Sequence, residues 1–303
     1  MIRFFYESVV RAKERNRPYW KLLYKVNKLI LNLLYPITQK RNCKAGISED
    51  GPVIVSLTTY PGRIDQVWKT ISSLLNQTLK PKRVILWLAK EQFPAGKLPE
   101  TVQRLTTRGL EICYCEDLKS HKKYFEAMKQ FPQEIIVTAD DDILYPENHL
   151  EKLWKTHLEF PQDVICQWSH RIAFDEQGEF LPYNDWPDNG REVPSLATLA
   201  VGCSGILYPP GAVVKEAFDQ EKLQKYALAA DDLWLKCMEL LAGIKTVNCN
   251  QTILVYYNVL STRKSGLWVS NTGQQKNNDK VWKLLMEQYP QALRSLRKEA
   301  EQE

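Results

Sequence analysis

Three consecutive carboxylates, Asp140, Asp141 and Asp142, follow the β-branched run Ile135-Ile136-Val137 in the stretch EIIVTADDDILYP. The run reads as a buried strand, so the acidic groups fall at its carboxyl end. Three adjacent carboxylates repel one another and cannot all be buried unpaired; they face water or share a cation. In open α/β sheets, ligands bind at the carboxyl ends of strands. Asp140 and Asp142 are spaced to offer oxygens to a hard divalent ion while leaving coordination positions for phosphate and water. The plainer alternative is a solvated acidic turn before a helix starting near Pro146. A second acidic pair, Asp231 and Asp232, interrupts a helical pattern from Glu221 to Leu241 and reads as the cap of its second part.

The elements that must position these groups alternate along the chain. Val53 to Leu57 is a first strand, Ile64 to Asn76 an amphipathic helix, and Val84 to Leu88 a second buried strand. Pro99 to Arg108 reads as a helix closed by Gly109, Leu110 to Cys115 as a third strand, and Lys122 to Phe131 as a helix. Glu134 to Ala139 is the fourth strand. Strands alternating with helices at this spacing predict a mostly parallel sheet covered on both faces. Glu147 to Phe160 reads as helical and Val164 to Trp168 as a further strand. From Ser169 to Ala200 the pattern loosens into a polar and aromatic stretch, the signature of a binding loop or lid. Leu199 to Pro210 reads as a glycine-containing turn and strand, Lys245 to Tyr256 as one or two closing strands, Asn258 to Asn278 as loop, and Asp279 to Arg297 as one terminal helix. The resulting division is an N-terminal basic segment over residues 1–45, one catalytic domain over 52–260, and a C-terminal loop and helix over 261–303.

With 303 residues, 44% hydrophobic and 25% charged, the chain is long enough for a large core and shows no disorder signature. Seven cysteines include no CxxC pair, which predicts reduced, mostly buried thiols of a cytoplasmic protein rather than a disulfide framework or a zinc site. Much of the net charge of +5 lies in residues 1–45, where cations recur on one stripe of a leucine-rich helix. Such a helix suits either the inner face of an anionic cell membrane or packing on the catalytic domain or another subunit. Its uncharged part is too short to span a bilayer. No recognition motif accompanies the basic residues, so nucleic acid is not an expected partner.

Taken together, VIVSLTTYPGR, SLLNQTLKPKRVILWL, DLKSHKKYFEAM and IIVTADDD resemble the nucleotide-binding half of family-2-like glycosyltransferases of bacterial surface-polysaccharide assembly. The resemblance covers roughly residues 52 to 260. It implies the A-type glycosyltransferase fold: α/β, with a Rossmann-like, mostly parallel central sheet flanked by helices. It implies a nucleotide-diphosphate sugar donor, a saccharide or lipid-linked acceptor, and Mn2+ or Mg2+ held by Asp142 and Asp140, with Asp141 facing the donor sugar. Thr58, Tyr60 and Arg63 would contact the nucleobase and a phosphate, Asp117 the base, and Lys122 or Lys123 the diphosphate. SHKK departs from the small residues usual at that turn, which leaves the choice of lysine open. Asp231 and Asp232 match the late acidic pair that supplies the general base of inverting members, Asp232 being preferred as base and Asp231 as cap or acceptor ligand.

Three other readings compete. A haloacid-dehalogenase phosphatase would open on its DxD and carry a glycine in the late aspartate loop. A nucleotidyltransferase would need a glycine-rich loop where TTYPGR has only Gly62. A non-catalytic carbohydrate-binding protein on a degenerate transferase fold predicts eroded acidic positions, whereas Asp142 and Asp232 are both present.

Overall fold

The computed structural model describes residues 1–39, 46–94, 96–188, 193–249, 256–260 and 277–301. Two helices open the chain, α1 (Ile2–Glu14) and α2 (Trp20–Gln39). The alternating unit follows as β1 (Ile54–Thr58), α3 (Val67–Leu75), β2 (Arg83–Ala89), α4 (Glu100–Gln103), β3 (Leu110–Cys115), α5 (Lys122–Gln130) and β4 (Ile136–Ala139). Then come α6 (His149–Glu159), β5 (Val164–Cys166), β6 (Ser169–Arg171), β7 (Thr198–Ala200), β8 (Ile206–Tyr208), α7 (Gln220–Tyr226), α8 (Asp231–Ala242) and β9 (Thr246–Asn248). The final helices are α9 (Asn277–Gln288) and α10 (Pro290–Ala300).

Among the described residues, seven strands form one sheet in the order β3-β2-β1-β4-β8-β5-β9, and β6 pairs with β7 in a small antiparallel sheet. The first four are mutually parallel, β8 runs antiparallel to β4 and β5, and β5 and β9 are parallel. The fold is therefore α/β with a mostly parallel sheet flanked by helices, as the alternation predicts. Its central strands are buried on both faces because helices cover both sides. From β1 the chain moves outward through β2 to β3, then returns to place β4 on the other side of β1. That reversal opens a crevice at the carboxyl ends of β1 and β4. Because β8 is antiparallel, its entry end lies beside the exit of β4, with Thr138 opposite Ile206. Gly205, at φ +72°, makes that entry; a Cβ there would lie 2.4 Å from the buried His149 ring.

The N-terminal helices are built into this frame. Glu147 caps α1 by accepting the N–H groups of Ile2 (3.0 Å) and Arg3 (2.7 Å). The Tyr6 hydroxyl donates to the Leu144 carbonyl and accepts the Tyr257 N–H, both at 3.0 Å. Tyr24 of α2 stacks on Tyr257 with centroids 5.3 Å apart, and Leu31 and Tyr35 are buried. One face of α2 thus packs on the sheet domain, while its opposite face remains exposed.

Several boundaries differ from expectation. The terminal helix is two helices broken at Tyr289-Pro290, because Pro290 has no N–H to donate and drives the preceding residue out of helical conformation. The helix expected from Glu147 begins at His149, since residues 146–148 turn to present Glu147 to α1. The helix expected from Ile64 begins at Val67. The described residues between Ser169 and Ala200 are more ordered than a loop. They contribute β6, β7 and a Phe174–Phe180 bridge, and they pack Trp186 edge-on against Trp282 at 5.6 Å. The expected loop over residues 261–276 and any second closing strand over 250–255 lie outside the described residues. Six of the cysteines are free thiols; Cys43 lies outside the described residues.

Tyr6→Phe removes a hydroxyl that serves both a buried carbonyl and a buried N–H, and is expected to lower stability by about 1–3 kcal/mol in denaturant titration.

Candidate functional site

The crevice between β1 and β4 gathers every acidic residue singled out in the sequence except Asp117. At the exit of β4, Asp140 pairs with the Lys123 ammonium at 2.8 Å, and its N–H donates to the Tyr145 hydroxyl at 3.0 Å. Asp141 accepts the Thr59 hydroxyl at 2.6 Å and Arg63 at 2.5 Å. The same guanidinium reaches Asp142 at 3.3 Å. Asp141 is 6% exposed, so it forms part of the wall of the crevice. Burial raises its pKa, with Arg63 and Thr59 pulling in the opposite direction. Burial also works against the Arg63 charge, but Asp141 and Asp142 more than offset it, and Arg63 stays protonated.

Lys123 connects the two acidic groups. It projects from the first turn of α5, where a cation opposes the helix macrodipole, so its position needs another source of stability. That source is Asp140 at 2.8 Å and Asp231 at 2.9 Å, with the side chain only 4% exposed. Burial disfavours its charge, and Asp140, Asp231 and Asp232 together raise its pKa well above the ordinary lysine value. A very short Ser56 hydroxyl contact to the Lys123 carbonyl, with Trp87 donating to Ser56 at 2.9 Å, ties this turn to β1 and β2.

Asp231 and Asp232 occupy the first turn of α8, but neither is the N-cap; Ala230 holds that position, with no side-chain cap. The expected capping role gives way to ion pairing. Burial works against the Asp231 charge, yet Lys123 outweighs it and holds the carboxyl below the usual range. Asp232 is raised to about 7, by burial first and then by the neighbouring Asp231 charge. It accepts the Gly202 N–H at 3.0 Å. A Cβ on Gly202 would sit 2.6 Å from Asp232 Oδ1 and 3.1 Å from Lys123 Nζ, so any larger residue where the chain passes this carboxylate would force the Asp232 side chain to shift.

Other expected positions lie differently. The Thr58 hydroxyl donates to the Trp87 carbonyl at 2.9 Å. Tyr60 places its ring 5.7 Å from the Arg63 guanidinium at the crevice mouth. Asp117 and Lys122 pair with each other at 2.5 Å, and Gln92 and the Lys119 N–H also donate to Asp117. They form a separate group at the exit of β3. Thr59, Tyr145 and Gly202 were not singled out in this role. Their signal is only adjacency, one residue beyond Thr58, three beyond Asp142, and within the glycine turn.

Five carboxylates thus converge on two cations, Lys123 and Arg63, which leaves an excess of negative charge. Oxygen donors with uncompensated charge suit a hard divalent ion, and Asp140 keeps 32% of its side chain open to solvent. Among the described residues, no three His, Cys, Asp or Glu side chains converge at metal-ligand spacing. A cation here would therefore be completed by ligand or water oxygens rather than by a protein cage.

No family model and no curated protein matches the chain. Among solved structures it is similar to residues 1–349 of S. aureus TarS, at 16% identity and a TM-score of 0.41, over 67% of this chain. The chain spans 58% of that chain's length. A likeness at this level does not extend to a site or an activity.

The Asp232 proton gives a signed expectation. A carboxyl with a raised folded pKa contributes stability in full below its unfolded value of 3.8, and that contribution is lost as pH rises through 7. In thermal melts without added metal, Asp232→Asn is expected to be more stable than wild type at about pH 8, by up to about 4 kcal/mol, and to match it near about pH 3. Lys123→Met leaves buried carboxylates uncompensated and is expected to cost about 3–5 kcal/mol at neutral pH, with part of the loss recovered on acidification.

Proposed function

We propose that this chain is a metal-assisted glycosyltransferase of the A-type fold, moving a sugar from a nucleotide diphosphate onto a hydroxyl of a saccharide or lipid-linked saccharide. The observation that carries the proposal is the pairing, across one crevice at the sheet's reversal point, of the Asp140/Asp142 carboxylates with a second carboxyl, Asp232, poised near neutrality. One group suits the charge of a diphosphate-bound cation, and the other suits proton abstraction.

Asp140 and Asp142 would hold Mn2+ or Mg2+, which supplies neutralisation of the charge on the departing nucleoside diphosphate. Tyr60 and Thr58, at the mouth after β1, line the side of the crevice available to the nucleobase, and Tyr60 offers a stacking face. Arg63 acts by holding Asp141 and Asp142 in place rather than by gripping a phosphate itself. Lys123 fixes Asp140 and Asp231 and keeps positive potential beside the leaving group. Asp117 and Lys122, paired at the exit of β3, extend that rim.

The acceptor hydroxyl is a weak nucleophile until its proton leaves. Asp232 takes that proton as the acceptor oxygen forms its bond to the anomeric carbon. The bond from that carbon to the phosphate oxygen breaks, and its electron pair departs with the diphosphate. A base with a pKa near the working pH is suited to this step. Asp231, held ionised by Lys123, is the less suitable base and keeps Asp232 from ionising too early. One displacement with one base inverts the anomeric configuration.

Calorimetry with uridine and guanosine diphosphates, with and without manganese, tests the reading. Metal-dependent binding is expected for one nucleotide and should be lost in Asp142→Ala. Asp232→Asn should keep that binding while turnover falls by about 10²–10⁴. Absence of binding by either nucleotide, with or without metal, would remove the proposal's support.

A further inference from the structure

Helix α2 presents two unlike faces. Trp20, Tyr24, Asn27, Leu31 and Tyr35 turn inward, three or four residues apart. On the opposite face, Leu22 (64% exposed), Val26, Leu29, Ile30, Leu33 (61%) and Ile37 (59%) form an unbroken apolar stripe. From Leu22 to Ile37 it runs about 22 Å at the helical rise per residue. Scattered single apolar side chains on a surface need no explanation, but a contiguous stripe of this length marks an interaction surface.

The charges along the stripe identify its occupant. Lys21 and Lys25 are exposed along one border, Arg15 and Arg17 are exposed in the turn before the helix, and no acidic residue occurs between Arg15 and Gln39. A second copy of the chain seated on this stripe would bring like charges together with no carboxylate on the same helix to answer them. An anionic bilayer satisfies both features, burying the leucines at the acyl boundary and drawing the cations to its headgroups. No described helix is long and apolar enough to cross a membrane, so the geometry is that of a helix lying in the interface.

We propose that the outer face of α2 docks the protein on an anionic membrane surface. The docking stands on its own. It does not depend on the transferase reading, although α2 and the candidate site share a buttress. Tyr24 stacks on Tyr257 and donates to the Tyr256 carbonyl at 3.0 Å, while the Val259 N–H donates to the Asp142 carbonyl at 2.7 Å.

The test is co-sedimentation of the full chain with vesicles of phosphatidylcholine alone or mixed with phosphatidylglycerol. Binding is expected for the mixed vesicles and should weaken as salt rises. Lys21→Gln with Lys25→Gln should weaken it by roughly fivefold per lysine. Leu29→Glu with Leu33→Glu should weaken it by roughly a hundredfold or more. Both variants change exposed positions, and unchanged thermal melts would verify that they fold. Failure of the wild type to bind mixed vesicles, or equal binding by the leucine variant, would overturn the proposal. So would light scattering that shows a dimer dissociated by the leucine changes. Nucleotide calorimetry without vesicles keeps this outcome separate from the fate of the transferase reading.

Discussion

Taking a lysine ammonium out of water costs several kcal/mol unless carboxylates meet it at close range. Lys123 is such a group, and neutralising it requires three parts of the chain that are distant in sequence to converge. Asp140 arrives from the end of β4, Asp231 from the start of α8, and the lysine itself from the first turn of α5. The sheet reversal brings β4 beside β1, and the antiparallel β8 brings the Gly202 turn alongside. Gly202 lets backbone pass within hydrogen-bond reach of Asp232. The ionic cluster and the topology are thus one solution. The same arrangement places a carboxyl that resists ionisation across the crevice from carboxylates paired with cations.

The carboxylate loop is held from behind as well. Val259 and Tyr257 pair with the backbone on either side of Ile143, fixing residues 142–144 in an extended path. Tyr257 is in turn enclosed by Tyr6 and Tyr24, so the first two helices brace the loop from the far side. Thr70 donates to the Asp141 carbonyl and Ser73 accepts the Tyr145 N–H, which adds support from α3. Backbone groups that would otherwise be stranded under an acidic loop are therefore paired.

The legible part of this design is the part with period and type. Apolar strands bounded by amphipathic helices were readable through β4, and the acidic groups stood out because carboxylates in a row are electrostatically unfavourable without a reason. Partners were much less legible. Arg63 has the chemistry for a phosphate, and nothing local to TTYPGR reveals that Asp141 and Asp142 lie within its reach. Lys123 reads as a solvated helix-start charge until β4 and α8 are folded against it. Asp231 and Asp232 look like caps because the capping rule is local, whereas their actual partners come from α5 and the 202 turn. The interruption at Tyr289 was written in the sequence as Pro290, but the amphipathic pattern on both sides masks it. The order around Phe180 and Trp186 comes from long-range packing on Trp282, which no short window contains.

The three-way pairing of Asp140, Lys123 and Asp231 also bears on how this chain can change over generations. Losing Lys123 strands the Asp231 charge, and losing Asp231 leaves the buried ammonium with Asp140 as its one ion-pair partner, so either single substitution leads through a destabilised intermediate. A joint exchange of lysine and aspartate for apolar residues of similar volume would keep the balance. Relatives that diverge here should therefore carry coupled changes at positions 123 and 231, while the surface around them drifts freely. A pair of columns varying together across α5 and α8 would be the historical trace of this one ammonium group.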